Sequence, residues 1–565
     1  MGAERNWWNR QQAQRLNRRR MLQGAAVAGI GTTTLALVGC GDNSSGGSAT
    51  PSGGGSTPGG SASAAPSTGS GTPKSGGHFN MLMGGSPRSL DPYFDTFPYN
   101  TAITDNTNNA LLQFNRDLSK IEPDLATGMP EQPDEQTYTF KLSQGVKFQN
   151  VDPANGREFT SEDAKYSIQR QMTDDAGKYQ HAYYFLGHVD KIDTPDPYTL
   201  TVHTTAPYAP FISYIASPWT VMVCKEAVEK FGDLTEHAIG TGPFILKEWQ
   251  KDVKFELVKN PDYFRKGMPY IDQLSYLIST DPATAATLFI NKSVDAVIVG
   301  QSNFQRVKDG RPDAVSQDVP SQFWKEFRMP PTTSAQPYPK PFDDIRVRQA
   351  IVSAIDKQQI LDLVYSSDGV PTHGPILPIY KDWALKEELA PFDLKKAQDL
   401  LGQAGQGAGF SGEMIWASTA PELDQISEVL KQQLAKIKVD LQLKPMELAA
   451  YYNQTYSYKY TFSQHTPLNS PDPDENLSAY FGKNSTYYKH YNTEIFDLID
   501  KQSKTVDVEQ RKQIVQDVQK KIVQDYPMAF MFTTNNHNFV DPKVKGWFWS
   551  TDLYNGRVET VWLDQ

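Results

Sequence analysis

The stretch Gly240-Thr241-Gly242-Pro243-Phe244, followed by Trp249 and then by Asn260-Pro261-Asp262-Tyr263-Phe264, Gly267, Pro269 and Ile271-Asp272, decides how this chain is read. Two glycines one residue apart suit a chain crossover that needs either positive φ or a close approach of two backbones. A phosphate-binding loop is excluded, because no lysine–hydroxyl pair follows them. Between the two motifs Phe255, Leu257 and Lys259 alternate with Lys254, Glu256 and Val258, the period of a strand.

Toward the N-terminus, His78–Asn80 opens a strand, Ser89-Leu90-Asp91-Pro92-Tyr93 is a loop, and Asn106–Phe114 is a helix or strand. Tyr138, Phe140 and Leu142 line one face of a strand over 137–142, and Gly145–Phe148 forms a second short one. Thr160-Ser161-Glu162-Asp163 starts a helix, with a hydroxyl cap and acids in the first turn. Toward the C-terminus, Asp343 or Asp344 caps a helix on which Val347, Ala350, Ile351, Ala354 and Ile355 form one apolar stripe. The neighbouring arginines are expected to anchor that helix on carboxylates. Phe392–Ala397 with Leu400-Leu401 and Ala404-Gly405 reads as a helix ended by a glycine. Glu413–Ala417, Pro421–Lys438 and Val439–Leu443 make a strand–helix–strand unit, hence a crossover in a parallel sheet. Val508–Asp525 is a helix and Met528–Phe532 a strand.

Three motifs together resemble the extracellular solute-binding proteins of the peptide and nickel class, the receptors of ATP-binding-cassette (ABC) importers. They are Phe140–Phe148 with Phe159–Ser167; the Gly240–Asp272 stretch; and Phe342–Ala350 with Ala354–Lys357. Phe392–Gly405 and Val294-Asp295-Ala296 match the same pattern. The resemblance implies an α/β, two-lobed periplasmic-binding-protein-like fold (type II), with mixed sheets flanked by helices and a hinge between the lobes. Lobe one would comprise 78–322, with a subdomain inserted at about 112–222, and the return segment 531–565; lobe two would be 323–530.

The chain begins with a leader. Asn17-Arg18-Arg19-Arg20 precedes an apolar run, Gly24–Gly39, too short to span a bilayer comfortably. Paired arginines before such a run resemble a twin-arginine export signal, and Leu37-Val38-Gly39-Cys40 resembles a lipobox, so 1–39 is the expected signal peptide and Cys40 the lipidated residue. Gly41–Gly77 is Gly/Ser/Pro-rich without an aromatic, a composition that cannot bury enough surface to order itself; its coil span is roughly 30–35 Å. A lipid-anchored monomer on the outer face of the cytoplasmic membrane follows as the expectation.

The whole chain carries −10, and residues 1–39 hold six Arg and one Glu, which leaves the remainder at −15. That balance argues against nucleic acid as a partner. Cys224 is the one cysteine besides Cys40, and its setting, Thr220–Cys224, reads as a buried strand with an inert thiol. No Gly-x-Ser-x-Gly elbow, His-Glu-x-x-His pair or clustered histidines are present, so neither a catalytic residue, a cofactor nor a metal is expected. Asp472-x-Asp474-x-Asn476 starts like a calcium loop but places Leu477 at the glycine and Lys483 at the bidentate acid.

By resemblance the ligand lies between the lobes and is a peptide passed to an ABC permease; a neutral oligosaccharide or other small solute is the alternative, and a secreted hydrolase the rival of another class. Peptide-binding relatives hold the ligand ammonium with an aspartate in a lobe-two segment corresponding to Thr466–Pro473, where this chain has Asn469. A neutral amide can bond an amine but gives no ion pair. Trp416, at the C-terminal end of its strand, stands at the sheet edge where α/β folds bind ligands. Tyr93, His465 and Thr466 complete the expected ligand contacts.

Overall fold

A computed structural model describes residues 71–94, 98–173, 178–179, 181–468, 470–485, 488–547 and 556–564. The leader, Cys40, the tether up to residue 70 and Asn469 lie outside them. From residue 71 the chain is tied to the body: Gly76 N donates to the Tyr270 carbonyl (2.8 Å), and Lys74 pairs with Asp564 (2.5 Å).

One large mixed sheet runs through the molecule. Its strands are β1 (His78–Met83), β2 (Phe244–Gln250), β3 (Lys254–Lys259), β4 (Gln273–Ile278), β5 (Ala296–Val299), β6 (Val315–Arg328), β7 (Gly369–Pro371), β8 (Phe410–Ala417), β9 (Val439–Met446), β10 (Phe462–His465) and β11 (Met528–Val540). They stand in the order β9-β8-β10-β6-β11-β5-β1-β4-β3-β2, with β7 also on β11. β8 pairs in parallel with both β9 and β10, and β1 with both β4 and β5.

β6 and β11 carry the architecture. They pair antiparallel from Val315↔Val540 to Pro320↔Asn535, lose register, and resume from Trp324↔Thr533 to Arg328↔Met528. One half of this ribbon joins β5, the other β10. At the break the single Thr533 hydroxyl hydrogen is shared between the carbonyls of Ser321 (2.8 Å) and Phe323 (2.9 Å), tying β11 to β6 where the register shifts and where Pro320 has no N–H for the ladder. The sequence reading stopped the second strand at Phe532; it continues through the polar run Thr533–Asn538, where hydrophobic periodicity gives no signal.

Apolar residues segregate accordingly. Ile351, Leu361, Ile426, Leu434, Phe462 and Phe532 belong to the core around β8–β10; Phe79, Phe244, Leu257, Leu274 and Val540 to that around β1–β4. A third core, with Phe140, Phe148, Phe159, Leu200 and Phe211, belongs to a four-stranded sheet ordered Glu131–Asp134, Thr137–Lys141, Thr199–Thr204, Val189–Asp196. Helix Ser161–Gln171 lies against it, its start fixed by a Thr160/Asp163 capping box.

The helix anchors fall as expected. Asp344 caps Ile345–Ser353, Arg346 pairs with it (2.6 Å), and Arg348 pairs with Asp525 (3.0 Å). Two short strands do not form. Gly145–Phe148 makes only the isolated bridge Lys147↔Glu158. Thr220–Cys224 is buried but unladdered, because Met222 N donates to the Asn109 carbonyl and Val223 N to the Ser167 hydroxyl. Cys224 is buried, and burial pushes its thiol up to about 11.

Of the two needs that could explain Gly240 and Gly242, the structure answers close approach; neither has positive φ. A Cβ on Gly240 would lie 2.5 Å from the Thr107 carbonyl oxygen, and one on Gly242 2.4 Å from the Thr107 carbonyl carbon. The downstream motif closes the same joint. Asn260 Nδ2 donates to the Gly242 carbonyl (2.9 Å), and Arg265 reaches Asp124 (2.6 Å) and Glu559 (2.5 Å). Asp124 also takes Arg557 (2.9 Å), Asn109 Nδ2 (2.8 Å) and Ala110 N (3.0 Å). Because the obstacle at Gly242 is backbone, Gly242→Ala is expected to destabilise the fold by about 1–3 kcal/mol or more, read as a lowered midpoint of chemical unfolding, while Gly402→Ala, whose Cβ would meet nothing within 4 Å, leaves it near wild type.

Candidate functional site

The segment that followed β10 in the sequence argument is where the two sides of the molecule touch. Asp472 caps helix Pro473–Phe481, accepting from Asp474 N, and is held by Arg511 (2.6 and 3.1 Å). Burial alone would raise the Asp472 carboxyl; Arg511 outweighs it and holds the group below the usual range. The calcium-like spacing is thus a helix cap with an arginine in it, and among the described residues no group of His, Cys, Asp and Glu is placed to hold a metal.

The next turn reaches across to the four-stranded subdomain. Tyr214 donates to Asp474 Oδ2 (2.7 Å) and Tyr184 to Glu475 Oε2 (2.7 Å), while His181 lies 3.6 Å from Glu475. The tyrosines stack at 3.8 Å between ring centres, and His181 stacks on Trp219 at 4.3 Å. Asp474 also accepts from Ser478 and Gln502, so no lysine or arginine bonds it directly; burial, then the charge of Asp472, raises its carboxyl. Ala209 N donates to the Ser503 carbonyl (2.8 Å). Leu468 bridges to Phe323 and packs against the subdomain core.

The expected ligand residues are placed as follows. Thr466 is half-buried on the loop leaving β10, the loop that runs to Asn469. His465 is buried opposite Glu326, its Nδ1 2.7 Å from the Tyr451 hydroxyl; burial, then Arg328, holds its imidazole well below the ordinary value, hence neutral. Trp416 is 4% exposed in the β8–β10 core and donates Nε1 to Asp424 (2.6 Å), beside a groove bordered by Leu363, Glu428, Leu443 and Pro445. Tyr93 is 1% exposed, donates to the Val221 carbonyl (2.8 Å) and lies under Arg170, which pairs with Asp91. Tyr93 and the loop after β10 therefore meet at the subdomain core, whereas Trp416 belongs to the other side. The sequence reading missed Tyr184, Tyr214, Asp474 and Glu475. The acids lay inside the quoted motif, but only the fold brings the tyrosines to them.

The ribbon itself carries a charged clamp. His537 on β11 places Nδ1 2.8 Å from Asp318 on β6, and Nε2 3.0 Å from Asp368 and 2.8 Å from Gln301, with the Phe304 ring 4.2 Å away. Asp368 lies between helix Lys357–Tyr365 and β7 and is also held by Asn535 (2.6 Å). Burial would lower the imidazole value, but the Asp368 and Asp318 carboxylates outweigh it and raise it.

A large sheet divided at a two-strand crossing, with an inserted subdomain touching the far side, is the architecture of a two-lobed substrate-binding protein of the kind that serves ABC importers. Residues 120–488, more than half the chain, match the model for bacterial extracellular solute-binding proteins, family 5 (middle), and the chain belongs to that family. It is 30% identical to di/tripeptide-binding protein 1 of Pseudomonas aeruginosa, over 65% of this chain and 71% of that one. With a glutathione-binding protein of Pectobacterium atrosepticum it shares 26% over 83% of this chain and 91% of the relative. Among solved structures it resembles the periplasmic binding protein DppA of Helicobacter pylori in complex with the peptide STSA, with TM-score 0.73 and 25% identity, covering 87% of this chain and 99% of that one. The oligopeptide-binding protein AppA of Bacillus subtilis shares the fold at TM-score 0.75 and 20% identity, covering 87% and 100%.

Two outcomes are expected. Tyr214→Phe removes a hydrogen bond to a carboxylate, worth about 1.5–3 kcal/mol, and should shift the lobes toward opening, seen as a larger radius of gyration in small-angle scattering with the unfolding midpoint little changed. For His537, the raised value means the clamp contributes fully below about pH 6.5 and is lost as pH rises through the folded-state value. The melting temperature of wild type relative to His537→Gln should therefore fall as pH rises from 6 to 9; a pH-independent difference would remove the clamp from the account.

Proposed function

We propose that this chain captures peptides outside the membrane by closing its lobes about the β6–β11 ribbon and presents the closed form to an ABC permease. The observation that carries the reading is the ribbon, paired on both sides of a stitched break, in a chain belonging to family 5. Such a joint lets a ligand held by both lobes shift an open–closed population without breaking either core. The peptide class is supported by what the relatives are named for and by the peptide bound to the Helicobacter protein.

In this reading lobe one is 78–322 with 531–565, its insertion 112–222, and lobe two 323–530. The ligand meets the loop Thr466–Asn469, with His465 and Tyr93 behind it, and Trp416 contributes from its own groove on the other side. Binding is the whole activity, with no turnover. The body is exported on the twin-arginine leader, lipidated at Cys40 and leashed as a monomer to the outer face of the membrane.

A thermal-shift series on the body from Gly77, against di- to pentapeptides and neutral oligosaccharides, tests this. A ligand at a hundredfold excess over Kd stabilises by about 2.7 kcal/mol. Peptide-dependent stabilisation without peptide consumption is expected. Stabilisation by sugars alone would replace the ligand class, and consumption of the ligand would replace the binding role with an enzymatic one.

A further inference from the structure

Asp368 ties together the two halves of the ribbon. It follows helix Lys357–Tyr365 and leads into β7, whose Gly369, Val370 and Pro371 pair with Thr534, Thr533 and Phe532 of β11. That is the break and the side of it beside β10. The Asp368 side chain reaches past the break to the side beside β5. Its Oδ1 accepts from Asn535 Nδ2 (2.6 Å), and its Oδ2 lies 3.0 Å from His537 Nε2. A bend of the ribbon at 320–324 changes the distance that this side chain spans.

Other elements close around the imidazole. In the sheet His537 stands between Asp318 of β6 and the apolar Val299 of β5. Nδ1 lies 2.8 Å from Asp318 Oδ1, and Nε2 lies 2.8 Å from Gln301 Oε1 on helix Gln301–Gly310. The same helix lays Phe304 against the ring, and its Lys308 sits over that phenyl group (5.5 Å). Both ring nitrogens thus face carboxylates. A neutral imidazole has one N–H and turns a lone pair toward one of them, whereas the imidazolium donates to both. The ring is 3% exposed, so water has little access to stand in for the missing donor. The electrostatics agree with the geometry: Asp368 and Asp318 outweigh the burial that would discharge the ring, and the ring in turn holds Asp368 below the usual carboxylate range against its own burial.

We propose that His537 is a proton-dependent latch across the hinge: charged, it holds Asp368 and with it lobe two against lobe one, and neutral, it lets the lobes part. This rests on the lobe-closure reading above and adds the condition under which the lobes stay together. Loss of the proton leaves the neutral Asn535 bond as the side-chain tie between Asp368 and β11. Because the folded-state value is raised, the latch is complete below about pH 6.5 and fails as pH rises through that higher value. The contact between Tyr214 and Asp474 lies elsewhere, so the two ties act on the same motion from separate places.

Energy transfer between two dyes on the full chain, without solute, tests the latch. The dyes sit at Lys191→Cys in the lobe-one insertion and Lys395→Cys in lobe two, side chains 63% and 83% exposed, with Cys40→Ser and the buried Cys224 left unlabelled. With His537 present, the ratio of closed to open molecules should be about tenfold higher at pH 6 than at pH 9. His537→Gln should show the alkaline ratio at both. Asp368→Asn, which keeps the size of the side chain and removes its charge, should lose the same pH dependence and gives a second reading should His537→Gln fold poorly. Tyr214→Phe, opening the lobes at either pH, shows that the dyes report lobe motion. If His537→Gln and Asp368→Asn keep the pH dependence, or if pH moves no protein while Tyr214→Phe opens, the latch is overturned and lobe closure stands. If the distance is the same in every protein at both pH values, lobe closure fails and the latch with it. A failure of the peptide class alone leaves these outcomes unchanged.

Discussion

The pairing of β6 with β11 is the constraint on which the rest depends. Both strands are members of both halves of the sheet, so neither lobe can move without the ribbon bending or twisting. A continuous ladder would resist this. A ladder interrupted at 320–324, where Pro320 gives no N–H and the Thr533 hydroxyl ties the strands through the Ser321 and Phe323 carbonyls, has a place to yield. The cores end on either side of that place: Trp324 belongs to one, Val319 to the other. Motion is thereby confined to a few residues while close-packed interiors stay intact.

Beside the ribbon, lobe one needs its own fixed geometry, and Asp124 supplies it. The carboxylate, with none of its side chain exposed, gathers the turn after helix Pro98–Thr107, the Asn260–Arg265 loop and the C-terminal segment through Asn109, Arg265 and Arg557. Buried pairs of this kind stabilise weakly but are costly to break, so they specify arrangement more than they add stability. The glycines act on the same joint from outside, by letting two backbones approach where a single methyl group would not fit.

How far this could be seen beforehand follows from where the information resides. Helix starts were legible because a cap is local: Thr160 with Asp163, and Asp344 with its arginine, are set by residues within three positions. The β8–helix–β9 unit was legible from its two periods. The polar half of β11 was not, since Thr533–Asn538 is extended only because β6 lies beside it. Val146 and Phe148 alternate like a strand yet are buried by packing instead of a ladder. The interlobe tyrosines were invisible for a further reason. Tyr184 and Tyr214 meet acids 291 and 260 residues away, and no local pattern marks such partners.

The character of the interlobe contact bears on how such a molecule can let go. Tyr214–Asp474 and Tyr184–Glu475 are hydrogen bonds from neutral hydroxyls to acids, and the accompanying rings stack within the subdomain, not across the gap. Opening returns these acids and phenols to water that solvates them well, and frees Leu468 from the subdomain core. Each bond adds a small net term, so the contact can align the lobes without locking them. A ligand that bridges the lobes then needs only a modest differential affinity for the closed form to move most of the population there. Had the contact been a hydrophobic seam, closure would not have depended on the ligand, and a receptor that closes empty carries no information to its permease.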